Sequence, residues 1–367
     1  VTVPHVAIAV LCGTTGGPAT YGRKLVQVLQ ATGEVHLSVL TDRPEAFEQL
    51  PANTNCDIVD LPMRGGIDRL RWQHLAVPKA LRKLRPAIYH DTKNALPWRV
   101  GCPSVVTVHD LAYHTVPESF GFASRQFLLR ATRSAVRRAN AIVVPSLATA
   151  NDLAKYYPSS ASRTHVVPHG IDAQRDYDPG VAEAATRSLG LPSNYILHVG
   201  TIQARKNVDL VITAVRQLRS KGFDFRAAIV GRRGWLSDRA FAEIERDDTA
   251  IWLEHLNEND LASCYARAAA FVSPSAYEGF GFAVADAMAA GIPTVIANVS
   301  SLPELCGDAG IRLASISTEA IVSALENLLH DDVARAKHAE LGRKRAAQFS
   351  WQACAAGHLR AYHQALK

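Results

Sequence analysis

The chain has 367 residues, 48% of them hydrophobic, and a formal net charge of +6. That length accommodates two domains, each with its own core, and no apolar run reaches the roughly 20 residues of a membrane span. The six cysteines (Cys12, Cys56, Cys102, Cys264, Cys306, Cys354) lie far apart with no C-x-x-C pair, which reads as reduced structural thiols and against a metal site.

The positive charge is concentrated. Between Arg64 and Arg85 seven basic side chains accompany one acid, Asp68, and Arg125, Arg130, Arg133, Arg137 and Arg138 follow on a helical stretch with no acid among them. Such a face suits anionic lipid heads or acidic substrates, and is equally what a solvated helix presents. Nucleic acid is not expected, because no recognition motif accompanies the charge.

The opening run 5–11 is almost wholly apolar, as expected of a parallel strand covered on both faces. No basic segment precedes it, so a signal peptide is not expected and the chain reads as cytoplasmic. A loop with Gly13, Gly16 and Gly17 leads into a helical pattern at 21–30. Strand, glycine loop and helix form the dinucleotide-binding rhythm, but the G-x-G-x-x-G spacing is absent. The loop therefore predicts close approach of an anion to a helix N-terminus and does not predict NAD.

Further strands are expected at 35–40, 87–90, 104–109 and 141–145, with helices between most of them, which argues for an open parallel sheet. The strand at 104–109 runs out at His109 and Asp110, where open α/β sheets place ligands. A single histidine there is also compatible with a purely structural role. The motif 166–172 is followed by a polar stretch containing Pro179, Gly180, Gly190 and Pro192, the expected interdomain linker. Asp176-Tyr177-Asp178 within it has the form of a metal-binding D-x-D, but lies in a linker and away from a strand end.

The rhythm then restarts, with strands at 195–199 and 226–230, a loop at 200–207 and a helix at 208–220. Arg205 and Lys206 stand at the start of that helix, where cationic side chains and backbone donors can converge on a diphosphate. Asn257 reads as the N-cap of a helix from Leu261. The stretch 271–291 is the richest in chemistry. It passes from a buried strand through a loop with Glu278, Gly279 and Gly281 into a helix carrying Asp286, closed by Gly291 and Pro293. The glycines free the backbone to approach a ligand, and the helix start offers N–H groups to an anion. A further strand is expected at 293–297, and helices at 318–329, 332–348 and 351–366, the last outside the βα rhythm.

Gly16-Gly17, Val108-His109-Asp110, the 167–172 motif VPHGID, Gly200 through Arg205-Lys206-Asn207, and Glu278-Gly279-Phe280-Gly281 through Asp286 occur in that order. With Ser301-Leu302-Pro303-Glu304 and Phe349-Ser350-Trp351, this set resembles the retaining GT-B glycosyltransferases of glycosyltransferase family 4, over essentially the whole chain. The resemblance implies an α/β GT-B fold, two Rossmann-like domains with parallel sheets facing across a cleft. It places an acceptor-side domain at 1–174, a nucleotide-sugar domain at 175–349, and a C-terminal helix, 350–367, returning to the first.

The resemblance also implies roles. Arg205 and Lys206 would neutralise the donor diphosphate, Glu278 would bond hydroxyls of the transferred sugar, and Asp286 would hold the ribose. Gly279, Phe280, Gly281 and Phe282 would present backbone N–H groups, and Gly200 and Thr201 would line the donor. Gly16 and Gly17 would close over the diphosphate, and His109 would line the acceptor side of the sugar. Three positions depart from the family pattern: Asp286 replaces a glutamate, Thr201 a common arginine, and His169 the usual asparagine.

A hydrolase using Glu278 and Asp286 as acid and base is disfavoured, because one stands in a loop and the other well along a helix. Retaining transfer without a protein nucleophile is expected instead, with no cofactor and no metal. GDP-mannose is the first expected donor, on the likeness of the 200–207 loop to bacterial mannosyltransferases, and a UDP-hexose the second. A saccharide, lipid-linked or natural-product acceptor is expected, with peripheral contact at an anionic membrane. A nucleotide-sugar epimerase and a non-catalytic nucleotide-sugar binder remain alternatives.

Overall fold

A computed structural model describes residues 3–11, 17–50, 55–63, 66–172 and 178–367. Contacts divide the chain into two units. The first comprises 1–111, 122–170 and 351–367, and the second 112–121 and 171–350. This differs from a simple 1–174 and 175–349 division in assigning Ala112–Gly121 to the second unit. There the Trp235 indole N–H donates to the Ser119 carbonyl at 2.7 Å, and the Phe120 and Trp235 rings lie 6.1 Å apart.

Unit 1 holds seven strands: β1 (His5–Val10), β2 (His36–Thr41), β3 (Cys56–Asp60), β4 (Ile88–Asp91), β5 (Ser104–Thr107), β6 (Ala141–Val144) and β7 (Thr164–Val166). Their order is β3-β2-β1-β4-β5-β6-β7, and every pairing is parallel. The order reverses between β1 and β4, the point at which open α/β sheets leave a crevice for ligands. β1, β4, β5 and β6 are almost entirely buried, which fits the apolar runs of β1 and β6, while the buried His90, Asp91 and Thr107 of β4 and β5 are hydrogen-bonded.

The C-terminal helix Trp351–Ala365 belongs to unit 1 and packs on the helix Gly17–Thr32 and on β5, β6 and β7. A directional hydrogen-bond chain fastens it. His358 Nδ1 lies 2.8 Å from the Cys354 carbonyl oxygen, which only accepts. The proton is therefore on Nδ1, and Nε2 accepts from the Tyr21 hydroxyl at 2.7 Å. Tyr21 Oη in turn accepts from Thr107 at 2.8 Å, and Thr107 Oγ1 from His90 Nε2–H at 2.9 Å. His90 Nδ1 is left to accept from the Tyr362 hydroxyl at 2.8 Å.

Unit 2 holds β8 (Tyr195–Val199), β9 (Arg226–Val230), β10 (Ala250–Leu253), β11 (Ala270–Ser273), β12 (Thr294–Ala297) and β13 (Gly310–Leu313), in the parallel order β10-β9-β8-β11-β12-β13. Tyr195 and Leu197 of β8 join Phe271, Ile296 and Met288 on one face, while Ile196 joins Val211, Val215, Val272 and Leu325 on the other. This alternation is the period of two that a doubly covered strand requires. Its order reverses between β8 and β11.

The segment expected to be a linker is in part a helix. Pro179–Ser188 is helical and packs on the helix Glu258–Arg267. Pro179 occupies a first-turn position, where a missing N–H costs nothing, and Asp178 Oδ1 accepts from the N–H groups of Gly180 and Val181. Asp178 is thus an N-cap, and Asp176 and Tyr177 lie outside the described residues. Among the described residues no helix is long and apolar enough to cross a membrane.

Candidate active site

The reversal between β8 and β11 places two loops side by side beyond the strands' carboxyl ends. After β8 comes 200–207, ending in a short 3-10 turn, Ala204–Lys206, and after β11 comes 274–281. They are tied by backbone and side chain. The Ala276 N–H donates to the Arg205 carbonyl at 2.8 Å, and the Asn207 amide donates to the Pro274 carbonyl at 2.8 Å. Gly231, after β9, closes against the first loop, since a Cβ there would stand 2.1 Å from the Gly200 carbonyl oxygen. Only glycine fits at that approach.

Within this frame Arg205, Lys206 and Glu278 converge. Lys206 Nζ donates to Glu278 Oε1, and Arg205 Nη1 lies 3.4 Å from Oε2 while also donating to the Tyr277 carbonyl. All three side chains are largely buried. Burial alone would push the Glu278 carboxyl up, but Lys206 and Arg205, helped by the Ser275 hydroxyl, outweigh it and hold the group at about 2. Glu278 is therefore an anion between two cations, with the pair carrying net positive charge.

Serines fix the loop that carries this acid. Ser300 Oγ accepts from the Glu278 N–H at 2.9 Å, and the Ser301 hydroxyl lies 2.9 Å from the Glu278 carbonyl and 3.0 Å from that of Phe280. The loop then enters the helix Phe282–Ala289 through Gly281 in a left-handed conformation, φ 101°. A side chain at Gly281 would also meet Leu302 Cδ2 at 2.9 Å. That helix begins four residues after Glu278. Asp286 lies on the helix's second turn, half-buried.

His198, at the end of β8, lies behind the cluster. Its Nδ1–H donates to the Val272 carbonyl at 2.9 Å, and burial, with Lys206 adding to it, lowers its titration to about 4. His198 is neutral at ordinary pH. Neither His198 nor Ser275, Ser300, Ser301 and Asn207 is singled out for this role by the sequence. Ser300-Ser301 and Asn207 stand inside recognisable motifs, but their partners are at least 21 residues away and only the fold brings them together.

The expected residues of unit 1 form a separate group. Gly16 lies outside the described residues, and Gly17 is the first residue of the helix Gly17–Thr32. His109 stands two residues beyond β5, which ends at Thr107. Its Nε2–H donates to the Thr92 carbonyl at 2.7 Å, and burial lowers its titration to about 4. Tyr21 packs edge-on at 4.9 Å, and the His169 ring lies 5.6 Å away. Neutral His109 thus has Nδ1 free of a proton. Among the described residues no three His, Cys, Asp or Glu side chains converge as metal ligands.

Known proteins share this organisation. Residues 15–175 match the family described as Glycosyltransferase Family 4, and residues 183–345 match Glycosyl transferases group 1. An O-antigen chain mannosyltransferase B of Escherichia coli is 30% identical over 77% of this chain and 76% of its own. A D-inositol 3-phosphate glycosyltransferase of Segniliparus rotundus is 28% identical over 97% of this chain and 86% of its own. Among solved structures, Anabaena Alr3699/HepE, determined with UDP and glucose, superposes with a TM-score of 0.79 at 18% identity, over 97% of this chain and 98% of that one. Two family matches in tandem, on two parallel-sheet units, place this chain in the GT-B glycosyltransferases, hexosyltransferases with a family 4 amino-terminal half and a group 1 carboxyl-terminal half.

Proposed function

We propose that the protein is a retaining mannosyltransferase that moves mannose from GDP-mannose to a hydroxyl of a saccharide, glycolipid or natural-product acceptor. The observation that carries this reading is the Arg205–Lys206–Glu278 cluster beside the start of the helix Phe282–Ala289. Two cations and a helix N-terminus suit a diphosphate that gains negative charge as it leaves. Glu278, ionised at any working pH, suits hydroxyl groups of the transferred sugar. Asp286 would hold the ribose from the second helical turn. Mannose is preferred over other hexoses on the likeness to the O-antigen mannosyltransferase.

The acceptor oxygen forms its bond to C1 on the face from which the diphosphate departs. The C1–O bond to phosphate breaks, and the acceptor's proton passes to a phosphate oxygen. Neutral His109 positions the acceptor side of the sugar, and the protein supplies placement and charge in place of a nucleophile. Arg205, Lys206 and the helix dipole carry the phosphate charge without a metal. The exposed basic side chains Arg82, Lys83, Arg130, Arg133 and Arg137, with exposed Leu75, Trp98 and Phe122, favour peripheral contact with anionic lipid from a cytoplasmic location.

A panel of nucleotide sugars tests the donor, because a ligand that binds only the folded state raises the melting temperature. GDP-mannose is expected to give the largest rise, and labelled mannose is expected to appear in an α-linked product. A larger rise with a UDP-hexose, and transfer of that sugar, would overturn the assignment of mannose. Turnover of the sugar without an acceptor would point to an epimerase.

A further inference from the structure

His198 is a buried titratable group of unit 2 to which the proposed transfer gives no task. It is the penultimate residue of β8, 1% exposed, with its ring nearly parallel to that of Phe271. The Val272 carbonyl only accepts, so the proton of the neutral imidazole is on Nδ1 and Nε2 carries a lone pair. That Nε2 is buried and has no hydrogen-bond partner among the described residues. Gln203 Oε1, in the loop that follows, is a second buried acceptor without one. A buried acceptor left without a donor costs stability, and native proteins retain few of them.

Both atoms belong to the segment that carries Lys206. Two residues after His198, a Cβ at Gly200 would meet Lys206 Cε and Nζ at 3.7 Å, so the lysine head lies over the end of β8. Lys206 and Glu278 both act on the His198 imidazole through their charge, in opposite senses. An ammonium has three donors, no acceptor and a flexible stem. A diphosphate arriving here competes with Glu278 for that ammonium, because each offers it a charge-assisted hydrogen bond.

We propose that His198 is a positioning residue for the donor. As a diphosphate draws Lys206 away from Glu278, His198 Nε2 accepts one of the ammonium N–H groups and keeps the cation at the end of β8. Glu278 is released in the same movement to accept from hydroxyls of the transferred sugar. The lone pair is then the acceptor end of a bond made only with the donor in place. The proposal rests on the glycosyl-transfer reading, which brings the diphosphate to Lys206.

Calorimetric titration of GDP into the full chain tests it with two variants of different reach. The His198→Asn amide reaches Val272 but puts no acceptor at the Nε2 position, and GDP is expected to bind about fivefold more weakly. His198→Gln puts an amide oxygen there and is expected to recover most of that loss. In a Lys206→Ala background, His198→Asn is expected to cost nothing further, because the bond it removes needs the ammonium. Losses that multiply in the double variant would make the histidine merely structural and overturn the proposal. Nitrogen NMR of the imidazoles in the parent chain does not depend on how any variant folds. GDP is expected to shift the unprotonated Nε2 resonance of His198, and an unmoved resonance overturns the proposal. Full GDP affinity in His198→Asn, with Lys206→Ala weakened, defeats only the role of His198. A parent chain that binds neither GDP nor UDP defeats the nucleotide-sugar reading and this proposal with it.

Discussion

Glu278 and Lys206 are oppositely charged partners in one ion pair, which makes their variants informative about the proposed donor site. In the free protein the Glu278 carboxylate pairs with Lys206 and Arg205, the cations proposed for the donor diphosphate. Glu278→Gln removes that charge while keeping the shape, so GDP is expected to bind a few-fold more tightly. Transfer should nevertheless fall by about tenfold or more, because the amide no longer fixes the sugar hydroxyls. Weaker GDP binding together with normal turnover would contradict both roles. Lys206→Ala should act the other way on the nucleotide, weakening GDP by about tenfold as a charge-assisted contact is lost. An unchanged dissociation constant by calorimetry would remove Lys206 from the diphosphate site. The two cations and the acid were legible in the sequence because each sits in a motif whose glycines and position after a strand signal ligand approach. The serines were not, since a hydroxyl tie such as Ser301 to the Glu278 carbonyl leaves no local pattern.

At the level of elements, burial decided what could be read. The nine strands expected from the sequence are β1, β2, β4, β5, β6, β8, β9, β11 and β12, all of them interior to the two sheets. The four not expected, β3, β7, β10 and β13, are the four sheet edges. An edge strand is covered on fewer sides, so it does not need a continuous apolar run. β3 reads Cys-Asp-Ile-Val-Asp and is at most half-buried throughout. The helix Pro179–Ser188 was hidden for a different reason, because Pro179 and Gly180 signal a turn as strongly as they signal a first helical turn. Ser301 offers a test at this scale. Its hydroxyl is buried between two carbonyls of the Glu278 loop, so Ser301→Ala leaves both without that donor and should cost about 1–3 kcal/mol. Urea unfolding measures the loss, and a midpoint equal to that of the parent would show that the loop does not depend on it.

At the scale of the whole molecule the chain passes between its units four times, at 111/112, 121/122, 170/171 and 350/351. The last passage delivers the C-terminal helix to unit 1, where its hold depends on histidines that cannot take a proton without breaking the chain from Tyr362 to Cys354. Burial lowers His109 and His358 to about 4, and lowers His90 and His169 well below the ordinary value. His198 in unit 2 is likewise lowered to about 4. A histidine whose folded titration lies below its unfolded value of about 6.5 leaves stability unaffected above that pH, where neither state is protonated. As pH falls through 6.5 toward 4 the unfolded chain gains protons that the folded one refuses, and stability drops. At pH 5 the loss is about 2 kcal/mol for each histidine lowered to about 4, and His90 and His169 act in the same direction. Urea midpoints should therefore be flat from pH 8 to 7 and fall steeply between pH 6.5 and 5, with unit 1 the more sensitive because it holds four of these five side chains. His358→Gln should cost stability at pH 7.5 yet shallow the acid slope, since one refusing group is gone. An identical slope in that variant, or a midpoint that does not fall by pH 5, would mean that these imidazoles accept protons without leaving the folded state.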